Sequence, residues 1–238
     1  MRARMLQLKS ETFAAEREWT VDGIPVLTAS LCLPKPVPVT GSIARRIDRY
    51  YRLYCRSYLR YCEHWLFPKA AEDYRCALQG SAPLPQYTAA LTYHVTCNEN
   101  GFFSLYTDAR ECCGGRTELL RRGDTWDLLS GYPASLSAFF SRPASCKKKL
   151  FACAAAEIAR QQSAGLSLYH EGWRQELRHH FSSENFYLTP QGLVFFYQMY
   201  AIAPAAEGIP VFCLPFGEGG CRLPEEHLPG AFPAEGRK

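Results

Sequence analysis

Residues 24 to 39 (IPVLTASLCLPKPVPV) alternate apolar positions with small or polar ones and then meet prolines, the pattern of an early strand running into an extended edge. From Ser42, a suitable helix N-cap, Ile43, Ile47, Tyr50, Tyr54, Tyr58, Tyr61 and Trp65 recur at steps of three or four. That spacing predicts a long helix from Ser42 to about Phe67 with these residues on its sheet-facing side. Pro68 follows, helical character resumes over Ala71 to Leu78, and the proline-spaced GSAPLP at 80 to 85 closes the region. The period then becomes two. Leu91, Tyr93, Val95 and Cys97 form one alternating run and Phe103, Leu105, Thr107 and Ala109 another, joined by a turn at Asn98 to Gly101, which reads as a hairpin. A third strand is expected over Thr117 to Leu120 or Trp126 to Leu129. Leu136 to Phe140 and Ala144 to Gln162 read as helical, and a shorter helix over Glu171 to His180 should bury Trp173 and Leu177. Strands follow at Asn185 to Leu188, at Leu193 to Tyr200 with apolar residues on both faces, and at Pro210 to Leu214.

Strands joined by tight hairpins, with helices segregated between them, imply an α+β fold: a mostly antiparallel sheet with helices packed on one face. The chain divides by pattern into an N-terminal extension (1–23), a strand with a long amphipathic helix (24–86), a C-terminal domain (87–216) and a flexible tail rich in Gly, Pro and Glu (217–238).

Composition narrows the classes. With 238 residues, 47% hydrophobic and 21% charged, the chain can build a sizeable core, which excludes disorder for its bulk. Lys+Arg at 27 against Asp+Glu at 23 leaves a net charge of only +4, so only a local patch could recruit a polyanion. The first twenty residues carry Glu11, Glu16 and Glu18 and no apolar run, and no stretch is long enough for a membrane span, so a cytoplasmic location is expected. The eleven cysteines lack any C-x-x-C pair, and no cofactor or metal is expected. The vicinal Cys112 and Cys113 read better as structural thiols than as a soft-metal site.

Catalytic motifs are missing. The six histidines (His64, His94, His170, His179, His180, His227) sit in no triad signature, and Asp124 and Asp127 lie three apart on a strand, on opposite faces. An enzyme is not expected, and no catalytic residue is assigned. Arg45, Arg49, Arg52, Arg56 and Arg60 recur at steps of four, three, four and four, which makes one cationic stripe of the long helix, with Arg46 beside it. Such a stripe could hold phosphates of nucleic acid or lipid head groups; a solvated face is the preferred reading, and nucleic acid is not the expected partner.

Two segments go beyond periodicity. FYLTPQGLVFFYQMYAIAPAAEGIPVFCLPF at 186 to 216 and YHVTCNENGFFSLYTDARECCGGRTELLRRGDTWDLLSGYPASLSAFF at 93 to 140 resemble the C-terminal domain of the RsiV anti-sigma factor family, a domain also attached to peptidoglycan deacetylases such as PdaC. The sigma-binding tail, the membrane helix and the deacetylase domain of those proteins are not matched, and Gly114-Gly115 leads here to Arg116-Thr117 where family members often carry a histidine. Because RsiV binds lysozyme through this domain, the resemblance implies a protein-binding module whose partner is lysozyme-like or another cell-wall enzyme. Its expected contact residues are Tyr200, Ile202, Pro204 and Glu207 after the last long strand, with Gly114, Gly115 and Arg116 contributing. The alternatives are a polyanion-binding helix and a hydrolase acting on a cell-wall glycan.

The cysteine pattern gives the first prediction: denatured protein purified without oxygen should titrate as eleven thiols, and a markedly lower count would show disulfides that the spacing does not announce.

Overall fold

A computed structural model describes residues 6–80 and 84–227, the side chain of Glu226 excepted. The chain divides into two compact units. Among the described residues, one comprises 8–94 and Thr107–Arg121; the other comprises Val95–Tyr106 and 122–227, with Leu6 and Gln7.

The N-terminal unit begins with β1 (Ser10–Val21) and β2 (Ile24–Pro36), an antiparallel hairpin. Residues set apart by the sequence pattern as an extension thus supply a full strand. Asp22 and Gly23 both take positive φ at the turn, the backbone that matches the twist of paired strands. A single helical rod follows: α1 (Gly41–Tyr61), a π-helical turn (Cys62–Leu66) and α2 (Phe67–Gln79). Both helices pack on β2. The rod returns the chain to β3 (Tyr87–Glu99), which pairs with β2 in parallel, Leu27 opposite Tyr87 and Leu31 opposite Leu91.

The buried stripe of α1 is Ala44, Ile47, Tyr51, Cys55 and Tyr58, continued by Cys62, Leu66, Ala70 and Tyr74. It lies about one position from the aromatic stripe expected from the sequence, of which Ile47 and Tyr58 are buried and Tyr50 and Tyr54 only half-buried. Small side chains at 44, 55 and 62 let the helix approach the sheet closely. The π turn adds a residue: Phe67 N–H donates to Cys62 C=O, five residues back, so Leu66 takes the buried place and Trp65 is left 73% exposed. Pro68, expected to end the helix, sits in the first turn of α2, where its missing N–H costs little.

β4 (Phe102–Cys113) and β5 (Arg116–Asp127) continue the sheet, and the short β6 (Tyr132–Pro133) ends it, in the order β1-β2-β3-β4-β5-β6. The third strand, expected over Thr117 to Leu120 or over Trp126 to Leu129, is the longer β5, which holds the first of these stretches and the start of the second and ends at Asp127. The β2–β3 pair is parallel, whereas β1–β2, β5–β6, β7–β8 and β8–β9 are antiparallel, so the mostly antiparallel α+β class holds.

In the C-terminal unit, α3 (Cys146–Ser163) and α4 (Trp173–His179) precede an antiparallel sheet of β7 (Phe186–Thr189), β8 (Gly192–Phe196) and β9 (Val211–Pro215). β8 is central and apolar on both faces. Leu193 and Phe195 join a core with Leu150, Ile158, Trp173, Leu177 and Phe212, while Val194 and Phe196 pack with Tyr187 and Tyr106. Gly123 of β5 leaves no room for a side chain, since a Cβ there would lie 1.8 Å from the Phe186 carbonyl oxygen. Residues 217–227, read from the sequence as the start of a flexible tail, are packed instead: Arg222 N–H donates to Phe139 C=O, and the His227 ring stacks on Phe102 at 4.0 Å. Residues 228–238 of that expected tail, and 81–83 of the proline-spaced segment, lie outside the described residues.

Tyr51→Ala should destabilise the protein by about 3 to 5 kcal/mol in urea unfolding, as for a buried aromatic. Trp65→Ala should stay within about 0.5 kcal/mol. Equal losses would show that the sequence-derived stripe is the true core face.

Candidate functional site

The loop that follows β8 holds four of the expected contact residues, and the structure divides them. The strand ends at Phe196, four residues before the expected end at Tyr200. Tyr197 is core, its hydroxyl donating to Leu177 C=O at 2.8 Å. Tyr200 takes φ 69° and stands 58% exposed. Ile202 is fully buried in the core of the unit with Ala203, so it anchors the loop and contributes no contact surface, a correction to the sequence reading. Pro204 opens a 3₁₀ turn (Ala205–Glu207) and accepts the Glu207 N–H at 3.0 Å. Glu207 is half-buried and accepts the Leu168 N–H at 2.9 Å.

That last bond reveals a second loop that the sequence reading left out. Residues 164–172, between α3 and α4, are tied to the 200–208 loop by Leu168 N–H to Glu207 and by His170 N–H to Ile202 C=O at 3.1 Å. Leu166 and Leu168 stand 64% and 68% exposed. Gln162, Gly165, Leu166, Ser167, Leu168, Tyr169 and Glu207 line an open cleft of about 330 Å³. The signal in the sequence was the isolated GLSLY after a helix end, where apolar residues are ordinarily assigned to the core.

Gly114, Gly115 and Arg116 fall in the other unit, at the exposed tip of the β4–β5 hairpin. The tip overlies a polar cluster between helix and sheet. Tyr58 and Tyr61 hydroxyls donate to the two oxygens of Glu111 at 3.3 and 3.0 Å, and Tyr87 donates to Asp73, which also holds Lys69. Burial, then Glu111, pushes both α1 phenols far up, and burial pushes the Cys62 thiol up to about 12. Cys113 is raised as well, first by burial and then by Glu111. At neutral pH these phenols and thiols are therefore held in their protonated form. Cys112 turns to Thr117, with Sγ and Oγ1 3.4 Å apart, while the electrostatic neighbours of Cys113 include Glu111, Glu118 and Lys69. Strand alternation sends the vicinal thiols to opposite faces, which removes the geometry for a shared metal.

The five stripe arginines all lie exposed along α1, where Asp48 pairs with Arg52 at 2.8 Å and Arg45 Nε donates to Gly41 C=O at 3.2 Å. Among the histidines, His227 is buried, with Nδ1 2.9 Å from Asn100 C=O and Nε2 3.3 Å from Asp127. Asp124 is buried beside Arg122, at 3.3 Å. An open groove of about 690 Å³ separates α3 from β9, floored by Ala152, Cys153 and Ala156. Cys153 Sγ donates to Cys213 C=O there at 3.4 Å, with its thiol pushed up to about 11 by burial. Among the described residues no group of three or more His, Cys, Asp or Glu is placed to hold a metal ion, and no helix is long and apolar enough to cross a membrane.

The Tyr87–Asp73 contact generates a pH prediction. The Tyr87 hydroxyl, then Lys69, holds the Asp73 carboxyl below its ordinary range, so its stabilisation is present at neutral pH and is lost as pH falls through the lowered value. Tyr87→Phe should cost about 1 kcal/mol at pH 7, allowing for solvent screening, and should flatten the loss of stability that sets in as pH falls below the ordinary carboxylate range. An unchanged acid profile in urea titrations would show that the bond carries no stability.

No curated protein matches this sequence. Two solved structures share its fold. A member of the DUF3298 family from Bacteroides fragilis NCTC 9343 is 16% identical with a TM-score of 0.65, over 88% of this chain and 91% of that one. A DUF3298 family protein from Pseudomonas aeruginosa PAO1 is also 16% identical, with a TM-score of 0.57 over 87% of this chain and 90% of the other. Residues 137–217, which run from ahead of α3 to just past β9, carry a match to the family "Protein of unknown function (DUF3298)".

Proposed function

We propose that the chain is a non-catalytic protein-binding module whose contact surface is the pair of cross-tied loops 164–172 and 200–208. The observation that carries this reading is the exposure of Leu166, Leu168 and Tyr200 on backbone already fixed by the bonds to Glu207 and Ile202. Three large apolar side chains on ordered loops offer contact area at little entropic cost, and Tyr adds a hydroxyl for a partner's polar rim. Glu207 serves as a strut for the loop pair. The Gly114–Arg116 tip belongs to the other unit and is not needed for this surface.

The partner is a folded protein. The likeness of residues 93–140 and 186–216 to the RsiV domain makes a lysozyme-like, glycan-cleaving cell-wall enzyme the first candidate. A hydrolase reading has less support, because the phenols and thiols of the polar cluster are held protonated and Asp124 is buried against Arg122.

Titration of the purified chain with a lysozyme-type muramidase tests the proposal. Leu168→Ser with Tyr200→Ser should weaken binding at least about tenfold per anchor while the thermal midpoint moves by no more than a few degrees. Unchanged affinity in the double variant would remove the loops as the site. Failure of the unaltered chain to bind any muramidase would overturn the partner, and turnover of a glycan would overturn the non-catalytic reading.

A further inference from the structure

The helix α1 carries six arginines and a single acid, Asp48, which is already engaged with Arg52. At 3.6 residues per turn, Arg45, Arg49, Arg52, Arg56 and Arg60 fall within an arc of about 80°, and the row is about 22 Å long. All five are exposed on the side away from Ala44, Ile47, Tyr51, Cys55 and Tyr58.

This row works against the helix that bears it. Arg45, Arg52 and Arg56 each meet another arginine four residues on, at Arg49, Arg56 and Arg60, and like charges at that spacing repel. The first turn of α1, residues 41–44, has no acidic residue to favour the helix dipole, and Arg45 and Arg46 follow directly after it. A helix needed only to cover a sheet would place glutamates among these positions. Local stability is given up along one face, and such conflicts mark surfaces kept for a ligand.

The chemistry of the face identifies the ligand. Guanidinium groups pair with phosphodiester oxygens through two parallel N–H bonds. Leu53 borders the row, about 20° past Arg60 around the helix, and is 52% exposed, and Trp65, in the π turn after α1, is 73% exposed. Exposed leucine and tryptophan beside a straight line of cations fit a flat surface with anionic phosphates outside and hydrocarbon beneath, where indole settles at head-group depth. Readers of duplex nucleic acid instead place polar side chains that reach base edges and phosphates among their cations, where this row is bordered by Leu53.

We infer that the exposed face of α1 is a docking surface for an anionic phospholipid bilayer, with Arg45, Arg49, Arg52, Arg56 and Arg60 on the phosphates and Leu53 and Trp65 inserted at the interface. The surface lies on the N-terminal unit and does not depend on the protein-binding reading of the C-terminal loops.

Cosedimentation of the full chain with vesicles of phosphatidylcholine alone, or with about one-third phosphatidylglycerol, tests it at about 0.05 and 0.5 M salt. The unaltered chain should partition to the anionic vesicles only, and lose that partition at high salt. Arg49→Glu with Arg56→Glu should weaken partition at least about 30-fold, since each arginine near an anionic surface contributes about a factor of five or more. The same variant should keep or raise the thermal midpoint, because it creates opposite-charge pairs with Arg45, Arg52 and Arg60; Arg49→Gln with Arg56→Gln provides a second, uncharged version. Leu53→Ser with Trp65→Ser should weaken partition several-fold and leave its salt dependence intact. Equal partition to both vesicle types, no partition, or partition unaffected by the folded arginine variants would overturn the assignment. Duplex DNA that displaces the chain from vesicles at about 0.15 M salt would give the face to nucleic acid instead.

Discussion

The parallel pairing of β2 with β3 sets the terms for the N-terminal unit. Parallel neighbours cannot be joined by a tight turn, so the chain must leave the sheet, cross its face and return at the same end. The rod of α1, the π turn and α2 is that crossover, and packing both helices on β2 covers the strand that also carries β1 on its other edge. With one side of the rod committed to Ala44, Ile47, Tyr51, Cys55 and Tyr58, the opposite side must face water, and that side holds the arginines. The wider turn at Cys62–Leu66 keeps the buried line continuous past Pro68, at the expense of turning Trp65 outward.

A different constraint shapes the C-terminal unit. β8 has apolar residues on both faces and neighbours on both edges, so Leu193 and Phe195 serve one cluster and Val194 and Phe196 another. The chain then needs an exit that leaves both clusters closed. Tyr197 and Ile202 remain inside as the two ends of a short arch, and the residues between them are lifted out, with Tyr200 at a backbone angle few side chains adopt. Two hydrogen bonds to the 164–172 loop hold the remainder. The apolar side chains left outside sit on backbone anchored by the core beneath them.

Periodicity made the hairpin of β3 and β4, the helices α3 and α4, and the α+β class legible in the sequence. It misplaced faces where small residues did the packing: Ala44, Cys55 and Cys62 carry little weight in a hydrophobic pattern, although they permit the closest approach to the sheet. Ile202 looked like part of a loop because the strand pattern before it ended in Tyr200, and a backbone reversal at one residue leaves no period to read. Leu166 and Leu168 were missed for the converse reason, since nothing local distinguishes an exposed leucine from a buried one. β1 escaped notice because its buried positions, Trp19 and Val21, gather at one end while charged residues occupy the rest. The comparisons supply a fold and a family match limited to residues 137–217, and both leave function to be argued from particular side chains.

Leu27 and Tyr87 pair across fifty-nine residues of intervening chain, whereas the turns at Asp22-Gly23, Asn100-Gly101 and Gly114-Gly115 each join strands that are adjacent in sequence. Closing a loop that long is entropically far slower than closing a hairpin, so the three hairpins precede the β2–β3 ladder during folding. Until β3 pairs, β2 presents an unpaired edge over Leu27 to Leu31. That edge is the segment through which newly made chains would associate with one another, and the speed with which the crossover rod brings β3 back to it limits how long it stays open.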